Sequence, residues 1–432
     1  MDSVHLLTLV HGMWGNPSHL RELERTIKER EVTDIPLHVI VARTNAEDST
    51  YDGIDWGGER VAKEVIDEVE QLQSDGKKVV KFSITGYSLG GLVSRYVVGI
   101  LYQKGFFKDV APVNFNTIAT PHLGLPRYPS ILSSLYSTLG PKLLSRTGEQ
   151  FYCVDKWSNT GKPLLEVMAD PEFVFYKALA SFQHARIYAN AIYDTTVPYV
   201  TAAIETEDPF ADHAKNGIEI KLDENYKPII KSYSLPPVPP APTPKPVILS
   251  PSWFQQRKNK KPSLPPFLKF RFPLNIVFYA MLPILIPVIL ALTVIRLSRD
   301  ARSSRARIKE LEKDATHGQS LARVLAQLER EVEGAVVELM DEAGSGSTST
   351  LQGTEISIKV GKKSKEPAAL SPLQHKIAEQ LNTLPLKKEL AFIDGVFNSH
   401  GTIIMRDVKR FPFQIAGLDI IIIIPGHWKD FA

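Results

Sequence analysis

From its start to about residue 230 the chain alternates short runs of β-branched and apolar residues with stretches whose apolar positions recur at helical spacing. Val4 to Val10, Leu37 to Val41, Val79 to Thr85, Val113 to Ala119 and Arg186 to Ile192 read as strands. Arg60 to Gln73 and Leu89 to Tyr102 read as helices between them. Strands alternating with helices predict an α/β fold, a mostly parallel, doubly wound sheet with right-handed crossovers. The pattern stops at Ser234 and resumes near Leu370, where a helix over Pro372 to Leu381, a strand over Glu389 to Ile393 and a last apolar run, Leu418 to Ile424, are expected. So short a tail makes a poor core by itself, and 370–432 is expected to complete the unit begun by 1–234.

The stretch in between differs in kind. Residues 235–250, which include LPPVPPAPTPKPV, hold too many prolines for helix or sheet and read as a stiff spacer. Residues 251–310 form a segment whose apolar core, 272–295, is flanked by Arg257, Lys258, Lys260, Lys261, Lys269 and Arg271 and by Arg296, Arg299, Arg302, Arg305 and Arg307. Within 311–341, Leu321, Leu325, Leu328, Val332, Val336 and Leu339 share one helical stripe, so a helix over 319–340 could meet a protein partner or lie on its own domain. Residues 342–369, opening on GSGSTST, read as a flexible linker.

Composition narrows the class. With 43% hydrophobic and 23% charged residues and a net charge of +3, the chain resembles neither a nucleic-acid binder nor a disordered protein. One cysteine, Cys153, cannot form an internal disulfide and has no metal-ligand spacing around it, so a reducing, cytosolic setting and no metal are expected. The run Val4 to Val10 follows no basic region and reads as a buried strand, not a signal peptide.

Gly86-Tyr87-Ser88-Leu89-Gly90 is a Gly-x-Ser-x-Gly motif at a predicted strand-to-helix junction. A nucleophile elbow needs a tight turn there, and Gly86 and Gly90 allow neighbouring backbone to approach. Val10-His11-Gly12-Met13-Trp14-Gly15 follows the first strand, where a hydrolase of this kind places the loop that supplies one oxyanion donor. The two donors would be the amides of Met13 and Leu89, with His11 and Gly12 shaping the loop. Asp194 ends the strand Arg186 to Ile192 and is the candidate acid, with Asp208 as its rival. Chain order Ser, Asp, His points to a late histidine as base, His400 in NSHGTIIMR ahead of His427 in GHW. The set predicts acyl-enzyme catalysis without cofactor or metal.

LVHGMWGNPSHL, GYSLGGLVSRYVVGILY, NFNTIATPHLGLPRY and ANAIYDTTVPYVTAAIETEDPF together resemble the fungal branch of the putative serine esterases with an α/β-hydrolase fold, especially its lipid-droplet phospholipases. The resemblance covers roughly residues 4 to 210 and the C-terminal NSHGTIIMR and HW. It implies hydrolysis of lipid esters, foremost glycerophospholipids, with Ser88 as nucleophile, Asp194 as acid, His400 as base and His122, in TPHLG, in an active-site wall. An acylglycerol or sterol-ester lipase is the nearest alternative, and an inactive hydrolase-fold tether that recruits another protein is the alternative outside enzymes.

The apolar core is long enough to cross a bilayer as one helix. A single crossing, however, would separate Ser88 and Asp194 from His400. Basic residues on both flanks favour one cytosolic side. Pro283 and Pro287 near the middle predict a bend, with two legs of about 18 Å each at 1.5 Å per residue. The expectation is a hairpin in one leaflet, ahead of a kinked single span or an internal core helix, seating the catalytic unit on a lipid droplet or on the cytosolic face of the endoplasmic reticulum.

Overall fold

The computed structural model describes residues 2–30, 35–128, 131–157, 161–238, 240, 250, 274–316 and 369–429. The predicted strands form one six-stranded parallel sheet from β1 (Asp2–Val10), β2 (Leu37–Val41), β3 (Lys77–Tyr87), β4 (Ala111–Ile118), β5 (His184–Asn190) and, far along the chain, Lys387–Ala391. The order is β2-β1-β3-β4-β5 followed by the late strand, whose Arg186-to-Lys387 register aligns it with β5. A small antiparallel pair, β6 (Glu219–Leu222) and β7 (Ile230–Ser234), forms a second sheet beside the late strand, β8, through the bridge Ile229 to Ala391. This is the arrangement of an α/β-hydrolase.

Two-residue periodicity decides the layers. On β1, Leu6 and Val10 enter one core while Leu7 and Leu9 enter the other. The first core is covered by α2 (Ile54–Ser74), α3 (Leu89–Gln103) and the short helices Leu164–Ala169, Val174–Ala180 and Pro372–Leu381. The second takes Leu20, Leu23 and Ile27 at and within α1 (Arg21–Glu29) together with Ile420, Ile421, Ile423 and Ile424 of the C-terminal helix Leu418–Lys429. The chain runs from β1 outward to β2 and returns to β3 on the other side, so the sheet reverses direction between β1 and β3. Crevices at such a reversal, beyond the carboxyl ends of the strands, are where ligands bind in open α/β sheets.

The apolar segment departs from expectation. It does not fold back: one helix, Leu274–Thr316, runs through both Pro283 and Pro287. A proline removes one backbone hydrogen bond and can bend a helix, but reversing the chain needs turn-forming residues, and Ile276 to Ile295 contains no Gly, Asn, Asp or Ser. The apolar half projects from the fold, with Val277, Ile284, Ile286, Ile289, Leu290 and Leu292 each about 60% exposed. The other half docks on the hydrolase fold and buries Ala301, Ser304 and Ile308. We call the whole element the arm helix. The proposed spacer lies mostly outside the described residues, and the striped helix 319–340 and the linker opening at Gly344 lie wholly outside them.

Candidate active site

The site is assembled at the carboxyl ends of β1, β3, β5 and β8. Ser88 follows β3 directly and precedes the first residue of α3, with φ 55° and ψ −126°. A non-glycine residue persists in so sparsely populated a region only where the surroundings hold it. Here its amide donates to Ile118 O at 2.8 Å, and the glycines around it admit backbone that no side chain would. A Cβ on Gly12 would stand 2.7 Å from Ser88 Cβ, so the loop after β1 lies directly against the nucleophile candidate.

His400 stands between the other two candidates. Its Nε2 is 3.1 Å from Ser88 Oγ, and its Nδ1 is 2.9 Å from Asp194 Oδ2. With the Nδ1 proton donated to the carboxylate, the Nε2 lone pair faces the Ser88 hydroxyl. The Asp194 carboxylate is itself fixed, because Oδ1 accepts from the amides of Thr196 and Val197 at 3.0 and 2.8 Å and Oδ2 accepts from Asn190 Nδ2 at 2.9 Å. Ser88, His400 and the Asp194 side chain are all nearly buried, at 7%, 5% and 1% exposure, which strengthens each of these contacts relative to water.

Other candidates take supporting positions. The amides of Met13 and Leu89 have no protein acceptor among the described residues. Leu89 N–H lies at the amino end of α3, where backbone donors are free. His11 contacts Gly12 O through Nδ1 at 3.2 Å, and burial lowers its pKa, so it shapes the loop as an uncharged ring. His122 meets Thr117 Oγ1 at 2.9 Å and is held well below the ordinary histidine range by burial and then by the Arg95 charge. Arg95, fully buried, donates to the carbonyls of His122 and Met168. Asp208, the rival acid, accepts from Phe210 N at 2.9 Å and closes its own turn. His427 lies on the C-terminal helix, and its side chain is outside the described set.

Three supporting residues escaped the sequence reading. Tyr87 donates its hydroxyl to His400 O at 3.0 Å and lies 5.1 Å, centroid to centroid, from the imidazole. Asn190 steadies Asp194. Asn398 accepts from His400 N through Oδ1 at 3.1 Å and donates to Thr196 Oγ1 at 3.2 Å, tying the histidine loop to the aspartate loop. Asn-Ser-His-Gly carries an Asx-turn signal that could have drawn attention to Asn398. Tyr87 and Asn190 carry no such local signal.

Residues 1–207 match the family model described as putative serine esterase (DUF676). Just under half of the chain is therefore similar to that family. The match includes Ser88 and Asp194, while His400 lies beyond it. Putative lipase C4A8.10 of Schizosaccharomyces pombe is 29% identical over 239 residues, covering 51% of this chain and 30% of its own length. Putative lipase ROG1 of Saccharomyces cerevisiae is 28% identical over 242 residues, covering 54% of this chain and 33% of its own length. The chain thus spans about a third of the length of the curated relatives it matches. The solved phospholipase PlaB of Legionella pneumophila, in complex with thio-NAD, shares 15% identity over 46% of this chain and 41% of its own, at a TM-score of 0.29. A similarity that low carries no argument, and the fold rests on the strand order above.

Proposed function

We propose that the chain is a serine hydrolase of lipid carboxylic esters, foremost glycerophospholipids, working at a lipid surface. The observation that carries this reading is His400, whose two ring nitrogens contact Ser88 Oγ and Asp194 Oδ2 across 312 and 206 positions of sequence. In the reaction His400 Nε2 takes the Ser88 proton as Oγ attacks the ester carbonyl. Asp194 orients the imidazole and stabilises its charged form, and the amides of Met13 and Leu89 receive the oxyanion. The alcohol leaves with the proton from His400, and water then releases the acyl group by the same steps.

Residues 1–234 and 370–432 act in this reading as one hydrolase module, interrupted by the segment that carries the arm. The arm supports the lipid surface. Burying an Ile, Leu or Val side chain is worth roughly 1.5–3 kcal/mol. The exposed apolar residues from Val277 to Ile295 would therefore favour a lipid phase by more than about 10 kcal/mol before ordering costs. Because the docked half of the helix lies on the hydrolase fold, the arm enters lipid from the same side as the catalytic module. That geometry suits a lipid droplet or the endoplasmic reticulum membrane, entered from the cytosolic side.

The test is hydrolysis by the full chain of phospholipid, lysophospholipid, triacylglycerol and sterol-ester substrates in mixed micelles, beside Ser88→Ala. Release of fatty acid from phospholipids, lost in the variant, is expected. Turnover confined to neutral lipids would overturn the phospholipid assignment, and turnover retained by the variant would overturn the whole reading.

A further inference from the structure

The docked half of the arm helix touches the segment that holds the proposed oxyanion loop. Asp52, fully buried, receives Arg60 NH1 at 3.0 Å and Arg307 NH2 at 2.9 Å. Arg307 NH2 also donates to Asp48 O at 2.8 Å, so one guanidinium from the arm grips both ends of the short 3₁₀ turn Glu47–Tyr51. The same turn holds Trp14, the residue after Met13. Thr50 Oγ1 accepts from Trp14 N at 3.1 Å, Tyr51 OH accepts from Trp14 Nε1 at 2.8 Å, and Glu47 N donates to Gly15 O at 2.8 Å.

Two features make this grip more than surface decoration. Trp14 at φ 54° and Glu47 at φ 51° are both non-glycine residues in the left-handed region, a conformation that persists only where neighbours hold it. Trp14 is half exposed, so packing alone does not hold it. A second set of contacts secures the other side: Arg146 pairs with buried Asp55 and with Glu312 of the arm helix, and Arg305 donates to Lys142 O at 2.8 Å.

We propose that Arg307 is a positioning residue: by fixing Asp48 and Asp52 from the arm helix it holds Trp14, and through Trp14 the Met13 amide, in the geometry that receives the oxyanion. The seat of the lipid-binding arm and one oxyanion donor are therefore a single mechanical unit. The catalytic consequence rests on the esterase reading above, whereas the mechanical link does not.

The test is a double-mutant cycle in the full chain, read with the soluble ester p-nitrophenyl butyrate and by Trp14 emission, isolated as the difference from Trp14→Phe. Arg307→Ala should lower kcat at least fivefold with KM within twofold. In the Trp14→Phe background, which lacks the donor to Tyr51, the same change should cost less than twofold. Acrylamide quenching of Trp14 should rise at least 1.5-fold in Arg307→Ala. If that variant does not fold, Arg307→Lys, which keeps the charge without the two-pronged grip, takes its place in the same cycle. Unchanged kcat, or losses that multiply independently in the double variant, would overturn the proposal. If the parent chain does not hydrolyse the ester at all, the esterase reading falls and Trp14 quenching alone decides the link, with unchanged quenching refuting it.

Discussion

Gly90→Ala places the crossing of α3 and the proposed oxyanion loop under direct strain. A Cβ on Gly90 would stand 2.6 Å from His11 O and still closer to Val10 O, whereas ordinary contact begins near 3.4 Å. Both obstacles are backbone, so no side chain can swing away. Either α3 or the segment Val10 to Gly12 must retreat by at least about 0.8 Å, the difference between those two distances. Overpacking of this kind costs about 1–3 kcal/mol of stability. The catalytic effect is larger, because the displaced segment carries the Met13 amide and α3 carries the Leu89 amide. A misplacement of about 1 Å at a reacting centre lowers the rate on the order of 100-fold, and loss of one oxyanion donor is worth about 3 kcal/mol. The expected result is a folded variant with kcat for p-nitrophenyl butyrate reduced about 100-fold. Gly105→Ala is the control: φ is +74°, the new Cβ meets only the flexible Lys108 side chain, and about 1 kcal/mol of backbone strain is expected with no change in kcat. Urea unfolding measures the stability term separately. A folded Gly90→Ala with kcat within threefold of the parent would refute the placement of the oxyanion donors.

Asp194→Asn keeps the side-chain shape but loses the carboxylate that orients the His400 Nδ1 proton, and kcat should fall by about 10³–10⁴, read as initial rates on the same ester. Ile286→Asp with Ile289→Asp, on the exposed part of the arm, should abolish flotation with phospholipid vesicles while leaving turnover of the soluble ester within twofold. For pH, His5 is pushed down to about 4, first by burial and then by the Lys81 charge. Its folded pKa lies below its unfolded value near 6.5, so the stability it contributes is full above pH 6.5 and is lost as pH falls from there through about 4. That span amounts to at most about 3 kcal/mol, so the urea midpoint should drop across this window, and drop less in His5→Gln.

The strands and helices of the hydrolase fold were legible because their periods were clean. Leu37 to Val41 and Pro372 to Leu381 coincide with observed elements, and the alternation of Leu6, Leu7, Leu9 and Val10 sorts the two cores. Ser88, Asp194 and His400 were reachable because each follows a strand with a local signature or a fixed chain order, and His400 does lie within hydrogen-bond distance of the other two. What the sequence concealed was long-range pairing. The arginines after Ile295 read as a basic flank that keeps to the cytosolic side, yet Arg307 is committed to Asp52, 255 positions away, and Arg305 to Lys142. Tyr87 and Asn190 were likewise hidden, since a hydroxyl aimed at His400 O or an amide aimed at Asp194 leaves no mark on local periodicity. The hairpin expectation failed for a different reason: two prolines were read as a turn although no residue around them can make one.

The central claim is that Ser88 is a nucleophile activated by His400, and its most direct test is covalent capture. The full chain should be exposed to a fluorophosphonate, and the adduct located by mass spectrometry after proteolysis. A single adduct on Ser88 is predicted, absent from Ser88→Ala and formed at least 10³-fold more slowly in His400→Ala. An unlabelled chain, or labelling at Ser88 that proceeds equally fast without His400, would contradict the account.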